Sequence, residues 1–219
     1  MRNPGRNPGT NIVYRAVWRA SNTVFRLLYR TEAYGLENVP VEGPFLLACN
    51  HESFLDPPAF GSFCPRELHY FARKTLFTGK FGEVISNCNA IPIERDADSD
   101  LGSFRKVFGV IKDGGALLVF PEGTRSASGE LGRAKKGIGL IACRAGAPVV
   151  PARIFGAFSI WGRQRKFPQP FGNVRIVFGK PIPISDFDPG KSDPERYQTA
   201  ADRIMEGISA LELPRKTEV

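Results

Sequence analysis

After Gly35 the chain is punctuated by short apolar runs at Phe45–Cys49, Leu68–Ala72, Ala90–Ile93, Ala116–Phe120, Val149–Ile154 and Val174–Phe178, each of strand length. Helical spacing alternates with them. Leu101, Phe104, Val107, Phe108 and Ile111 recur on one helix face until Gly114 and Gly115 stop it, residues 137–144 form a second short helix, and residues 194–213 a third. Strand and helix in turn predict an α/β domain with a largely parallel mixed sheet flanked by helices, and in such sheets ligands gather beyond the carboxyl ends of the strands. Polar residues that follow an apolar run are therefore where chemistry is expected.

The first such stretch is Asn50-His51-Glu52-Ser53-Phe54-Leu55-Asp56, which follows Cys49 and stops at Pro57-Pro58. His51 can accept a proton near neutral pH. A carboxylate on its other ring nitrogen fixes the tautomer and stabilises the imidazolium that forms, and Asp56 is the candidate for that role. Five residues on an ideal helix rotate a side chain by about 140°, so the two cannot cooperate within one regular helix. A strand ending near Cys49 and a turn into a helix lets them meet, with Asp56 as N-cap and Pro57 in the first turn. A capped turn without chemistry has the same spacing, so the other segments decide.

A second strand, Ala116–Phe120, runs straight into Pro121-Glu122-Gly123-Thr124-Arg125-Ser126. Gly123 permits a sharp turn, Thr124 and Ser126 offer hydroxyls, and the planar fork of Arg125 suits a phosphate, so this stretch is read as an anion cradle. Arg95 follows the strand at Ala90–Ile93, and Arg73-Lys74 follows Leu68–Ala72. Together these segments predict one sheet edge carrying a base and several cations, as an enzyme that binds a phosphorylated alcohol and deprotonates its hydroxyl requires.

The chain of 219 residues fits one domain, assigned to residues 35–219, that needs no disulfide or metal to hold its core. Cys49, Cys64, Cys88 and Cys143 are scattered, show no zinc-site spacing and have only His51 and His69 to assist them, so they are read as reduced core thiols with no metal. The formal charge of +8 favours an anionic partner. Residues 1–10 repeat Arg-Asn-Pro-Gly and are read as a flexible tail. Residues 11–34 are expected to hold an amphipathic helix. On a projection of about 100° per residue, Arg15, Arg19, Arg26 and Arg30 share one narrow sector, and Trp18 and Phe25 fall with Val13, Tyr14, Val17, Val24 and Leu28 on the broad face opposite. Such a helix suits a lipid headgroup region, arginines toward anionic lipid and Trp18 and Phe25 toward the acyl boundary; packing on the domain is its other use. No apolar run reaches the length that spans a bilayer, so the expected location is peripheral, on the cytoplasmic side of the membrane.

In order along the chain, the His51–Asp56 block, Ile93-Glu94-Arg95, Phe120-Pro121-Glu122-Gly123-Thr124-Arg125 and Ala147-Pro148-Val149-Val150-Pro151 resemble the four blocks of the glycerolipid acyltransferases, most of all the 1-acylglycerol-3-phosphate acyltransferases. Asn89 stands where that family usually has glycine and Glu94 where aspartate is common, departures that touch acceptor fit more than chemistry. The resemblance implies the family's α/β fold and transfer of a fatty acyl group from a thioester to the free hydroxyl of 1-acyl-glycerol-3-phosphate, giving phosphatidic acid. In that scheme His51 is the base and Asp56 orients it. Glu122, Gly123, Thr124 and Arg125 hold the glycerol-phosphate portion, and Arg95 and Lys74 add charge. No bound cofactor is implied. Acyl-CoA or acyl carrier protein serves as co-substrate, and a basic rim such as Arg163, Arg165 and Lys166 suits either. Membrane lipids are the expected partners. Another lipid acceptor, such as a lyso-ornithine lipid or glycerol 3-phosphate, fits the same residues, and a non-catalytic protein binding anionic membranes is the alternative of another class. Nucleic acid is not expected, because the organised arginines back an apolar face rather than sit among exposed aromatics.

Overall fold

The computed structural model describes residues 9–93 and 101–214, apart from the side chains at 101 and 103. In chain order the elements are α1 (Ile12–Leu28), β1 (Glu32–Tyr34), β2 (Phe45–Cys49), α2 (Asp56–Phe63), β3 (Leu68–Arg73), α3 (Gly79–Asn87), β4 (Ala90–Ile93), α4 (Leu101–Lys112), β5 (Ala116–Val119), α5 (Lys136–Ala145), β6 (Val149–Phe155), α6 (Ala157–Trp161), β7 (Arg175–Phe178), α7 (Ile184–Phe187) and α8 (Arg196–Ser209). The strands form a seven-stranded sheet in the order β1-β7-β6-β2-β5-β3-β4. Every neighbouring pair is parallel except β6 with β7, so the sheet is largely parallel and mixed, as expected. Each predicted strand is present to within a residue at either end. The edge strand β1 was not expected: Glu32–Tyr34 leaves the segment assigned to the N-terminal helix and pairs with β7.

The sheet is covered on both faces, which is why its central strand reads as an unbroken apolar run. Phe45, Leu47 and Cys49 of β2 point to one side and join Phe25, Phe60, Phe63, Ile160 and Phe178. Leu46 and Ala48 point to the other and join Val107, Ile111, Ile141, Ala200, Ile204 and Ile208. The four thiols stay free. Those of Cys49 and Cys64 lie wholly inside, and burial pushes both well above the ordinary thiol range.

Helix α1 forms, and its apolar residues divide between two faces. Tyr14 and Phe25 are buried against α2, where the Phe25 ring meets Tyr29 and Phe63 edge-on. The Tyr14 hydroxyl accepts a hydrogen bond from Leu68 N at 3.1 Å, and Asn22 Nδ2 donates to Ser62 O at 2.9 Å. Phe25, only 3% exposed, therefore belongs to the domain core and not to a membrane. Trp18 is half-buried on the same side. The outward face carries other residues, Ile12, Val24 and Leu27, with Arg19, Arg26 and Arg30 also exposed and Arg15 half-buried. The tail assigned to residues 1–10 lies mostly outside the described residues, but Thr10 is buried and its hydroxyl donates to Glu67. Among the described residues no helix is long and apolar enough to cross a membrane.

Helices α5 and α8 cross at Gly139, where an added Cβ would stand 1.7 Å from Tyr197 O. Backbone on backbone leaves no side chain to yield, so Gly139→Ala should cost about 2 kcal/mol of stability or more. A thermal melt of the variant indistinguishable from that of the parent would show that the crossing is looser than this.

Candidate active site

Strands β6, β2, β5 and β3 run parallel, so the segments that follow their carboxyl ends share one edge of the sheet. At the end of β2 the ladder to β6 is continued by a side chain. Asn50 Nδ2 donates to Ile154 O at 3.0 Å while Ile154 N donates to Asn50 Oδ1 at 2.8 Å. This two-way bond fixes where the chain turns out of the sheet.

His51 and Asp56 meet in that turn. Asp56 is not the N-cap of α2, a place taken by Leu55, but its first helical residue, with Pro57 and Pro58 behind it in a first turn that needs no N–H donors. Its carboxylate folds back instead of capping forward. Oδ2 accepts from Glu52 N at 2.7 Å, from Ser53 N at 2.8 Å and from His51 Nδ1 at 2.7 Å. An oxygen that already accepts two amide protons is an acceptor toward the ring as well, so Nδ1 carries the proton and Nε2, on the far side of the ring, is the basic nitrogen. The His51 ring stacks on Phe120 with centroids 4.0 Å apart, and its side chain is 14% exposed. Burial pushes the Asp56 carboxyl upward, and its bond to His51 and the two amide donors pull it back.

The Pro121–Ser126 stretch grips the same histidine from outside the turn. Glu122 Oε1 accepts from His51 N at 2.9 Å, Oε2 accepts from Gly132 N at 3.1 Å, and Ser126 N donates to His51 O at 2.7 Å. Glu122 is buried, and its two oxygens each accept from a backbone amide, one of them that of His51. Gly123 turns with φ +65° beside the stem of Lys135, and Thr124 and Arg125 follow half-buried. The Arg125 guanidinium lies over the Phe54 ring with Cζ 3.4 Å from its centroid, and Phe54 in turn leans on Trp161 at 4.9 Å. Lys74 is exposed immediately after β3, on the same edge. Arg95 lies outside the described residues.

Glu52, Ser53 and Phe54 were given no role by sequence, and they tie the turn to α6. Glu52 Oε1 accepts from Phe158 N at 3.0 Å, while Ser53 Oγ and Phe54 N both donate to Trp161 O. Both ends of that one-turn helix are thereby held by three consecutive residues of the histidine block. Nothing in the residue types at these positions marks a long-range contact to residues 157–161.

The chain matches the acyltransferase family model over residues 30–155. It belongs to the acyltransferase family. It is 28% identical over 204 residues to the 1-acyl-sn-glycerol-3-phosphate acyltransferase of Bacillus subtilis, covering 91% of this chain and 97% of that one. It is 33% identical over 157 residues to the chloroplastic 1-acyl-sn-glycerol-3-phosphate acyltransferase of Brassica napus, covering 70% of this chain and 45% of that one. It thus spans about half the length of that plant relative and nearly all of the bacterial one. The crystal structure of the 1-acyl-sn-glycerophosphate acyltransferase of Thermotoga maritima shares the fold, with a TM-score of 0.73 at 24% identity over 92% of this chain and 81% of that one.

Glu52 gives the site a measurable signature. Burial pushes its carboxyl up from 4.5 to about 8, the neighbouring Asp56 adds to the rise, and the amides of Phe158 and Ala157 oppose it. The folded protein therefore keeps a proton that the unfolded chain releases. The stability this gives is full below pH 4.5 and lost as pH rises through about 8. Glu52→Gln lacks the titration. In denaturant unfolding at about pH 5 and about pH 8.5, the parent should lose stability relative to the variant on going to the higher pH, and a constant difference would contradict the buried, protonated Glu52.

Proposed function

We propose that this acyltransferase moves a fatty acyl group from a thioester, acyl-CoA or acyl carrier protein, to the free hydroxyl of 1-acyl-glycerol 3-phosphate, giving phosphatidic acid. The observation that carries the proposal is the His51 Nδ1–Asp56 Oδ2 bond at 2.7 Å on the carboxyl edge of the sheet, where the segment that grips the His51 backbone also carries Arg125. The acceptor oxygen attacks the thioester carbonyl as its proton passes to His51 Nε2. Asp56 stabilises the imidazolium, the carbon–sulfur bond breaks as the tetrahedral adduct collapses, and the imidazolium proton neutralises the departing thiolate. No covalent acyl-enzyme is needed. Arg125, steadied against Phe54, binds the acceptor phosphate, with Lys74 and Arg95 adding positive potential. The mapping of the same names onto the Bacillus and Brassica relatives supports this acceptor over glycerol 3-phosphate or another lipid.

On this reading the protein works at a membrane surface on the cytoplasmic side, and α1 is one of its contacts. Arg15, Arg19, Arg26 and Arg30 meet anionic lipid and the outward Ile12, Val24 and Leu27 meet the acyl boundary, in place of Phe25.

In a thioester-release assay, His51→Ala should abolish transfer with the fold intact, and near-normal turnover would sink the mechanism. Asp56→Asn should lower turnover by on the order of a thousandfold or more, because the neutral amide no longer selects the tautomer. Arg125→Ala should chiefly raise the acceptor KM, and so, more mildly, should Phe54→Ala. An Arg125→Ala enzyme with unchanged acceptor KM and reduced turnover would move that arginine from binding to chemistry.

A further inference from the structure

Residues 162–174 connect α6 to β7. The segment contains Arg163, Arg165 and Lys166, and no acidic residue at all. Residues 163–171 are all exposed, and among them two large aromatic rings face outward: Phe167 is 71% exposed and Phe171 69%. Two phenylalanines left so far open within one short segment are costly in water unless something covers them.

The backbone holds these rings out. Arg165 N donates to Gly162 O at 3.0 Å, Gln169 N to Ile160 O at 2.9 Å, and Gly172 N to Leu28 O at 3.2 Å, while Gln164 Nε2 reaches Ala127 O at 3.3 Å. Gly172 passes so close to α6 that an added Cβ would lie 2.6 Å from Ile160 Cδ1. The Gly172–Leu28 bond also sets Phe171 beside the last turn of α1, where Leu27 is 72% exposed and Arg26 and Arg30 are exposed as well. Exposed apolar side chains and exposed cations thus occur on both of the elements that this bond joins.

We propose that residues 163–171 and the last turn of α1 form a single docking surface for an anionic bilayer, with Phe167, Phe171 and Leu27 entering the acyl boundary and Arg163, Arg165 and Lys166 meeting lipid phosphates. The proposal goes beyond membrane contact by α1 and rests on the lipid acceptor proposed above. Charge and apolarity together favour lipid over an acidic carrier protein, since cations alone would serve a carrier and the two open rings would not. The surface also has a fixed relation to the chemistry. It continues directly from α6, whose Trp161 carbonyl accepts from Ser53 and Phe54 of the catalytic turn, so docking here sets the histidine and Arg125 at the headgroup level where a lipid acceptor presents its phosphate.

The full-length chain would be sedimented with phosphatidylcholine vesicles with and without phosphatidylglycerol, at low and high salt. Binding should require the anionic lipid and weaken with salt. The double variant Phe167→Ser/Phe171→Ser and the triple variant Arg163→Gln/Arg165→Gln/Lys166→Gln should each lower partitioning by about tenfold or more. The Phe double variant should keep the parent's melting temperature and its turnover of a short-chain acceptor below its micellar concentration. Phe167→Trp should be quenched by lipids brominated on the acyl chain, a gain of signal that does not depend on a loss of binding. Unchanged partitioning of both variants, or an unquenched tryptophan, would overturn the proposal. So would a triple variant that binds vesicles normally but fails only with an acyl carrier protein as donor. If the parent partitions as expected yet transfers no acyl group to the short-chain acceptor, the docking surface stands and the proposed reaction falls.

Discussion

The arrangement of the whole site depends on one carboxylate oxygen. Asp56 Oδ2 takes a proton donor from the His51 ring and two from the backbone of Glu52 and Ser53, so a single buried atom fixes the turn, the start of the helix that follows it and the tautomer of the imidazole. Its other oxygen, Oδ1, is buried without a donor among the described residues, and the carboxylate's hydrogen bonding therefore converges on the side that matters. The desolvation this burial costs is countered in part by charge-assisted bonds, which strengthen where water is excluded. Replacing any one donor leaves the others, whereas replacing the aspartate removes all three at once.

Around that atom the chain builds two further clamps from distant sequence. Glu122 and the Ser126 amide hold the His51 peptide from both sides, and Asn50 locks the exit of β2 to β6. Thus the Pro121–Ser126 loop, which carries Arg125, is tied to His51 through the hydrogen bonds of Glu122 and the Ser126 amide. His51 and the loop that carries Arg125 are held as one unit. The anchoring of α6 by Glu52, Ser53 and Phe54 extends the same unit toward the exposed segment that follows Trp161.

Much of this was legible in the sequence because strand length and apolar continuity survive in a one-dimensional pattern. Phe45–Cys49 and Ala116–Val119 are buried on both faces and could be little else than central strands. The spacing of His51 and Asp56 excluded a regular helix between them, and the turn found there agrees. What the pattern could not carry were contacts whose partners are backbone groups. Glu122 reads as a polar loop residue, yet its two acceptors are spent on amides at positions 51 and 132; Asp56 reads as a cap, yet bonds backward. The three-residue strand at Glu32–Tyr34 is too short to announce itself beside a helix. Phe25 fell on the apolar face of α1 by periodicity, but periodicity does not tell a face turned to the core from one turned to lipid, and the exposed Leu27 lay on the other.

The central claim is that the backbone-held Asp56 carboxylate keeps the proton of His51 on Nδ1 and leaves Nε2 as the base. Nitrogen-15 NMR of the imidazole, recorded where the ring is neutral, tests it directly. The account predicts a protonated Nδ1 and a bare Nε2 in the parent, with the Nδ1–H tautomer losing its dominance in Asp56→Asn. A neutral ring protonated on Nε2, or a spectrum that Asp56→Asn leaves unchanged, would contradict it.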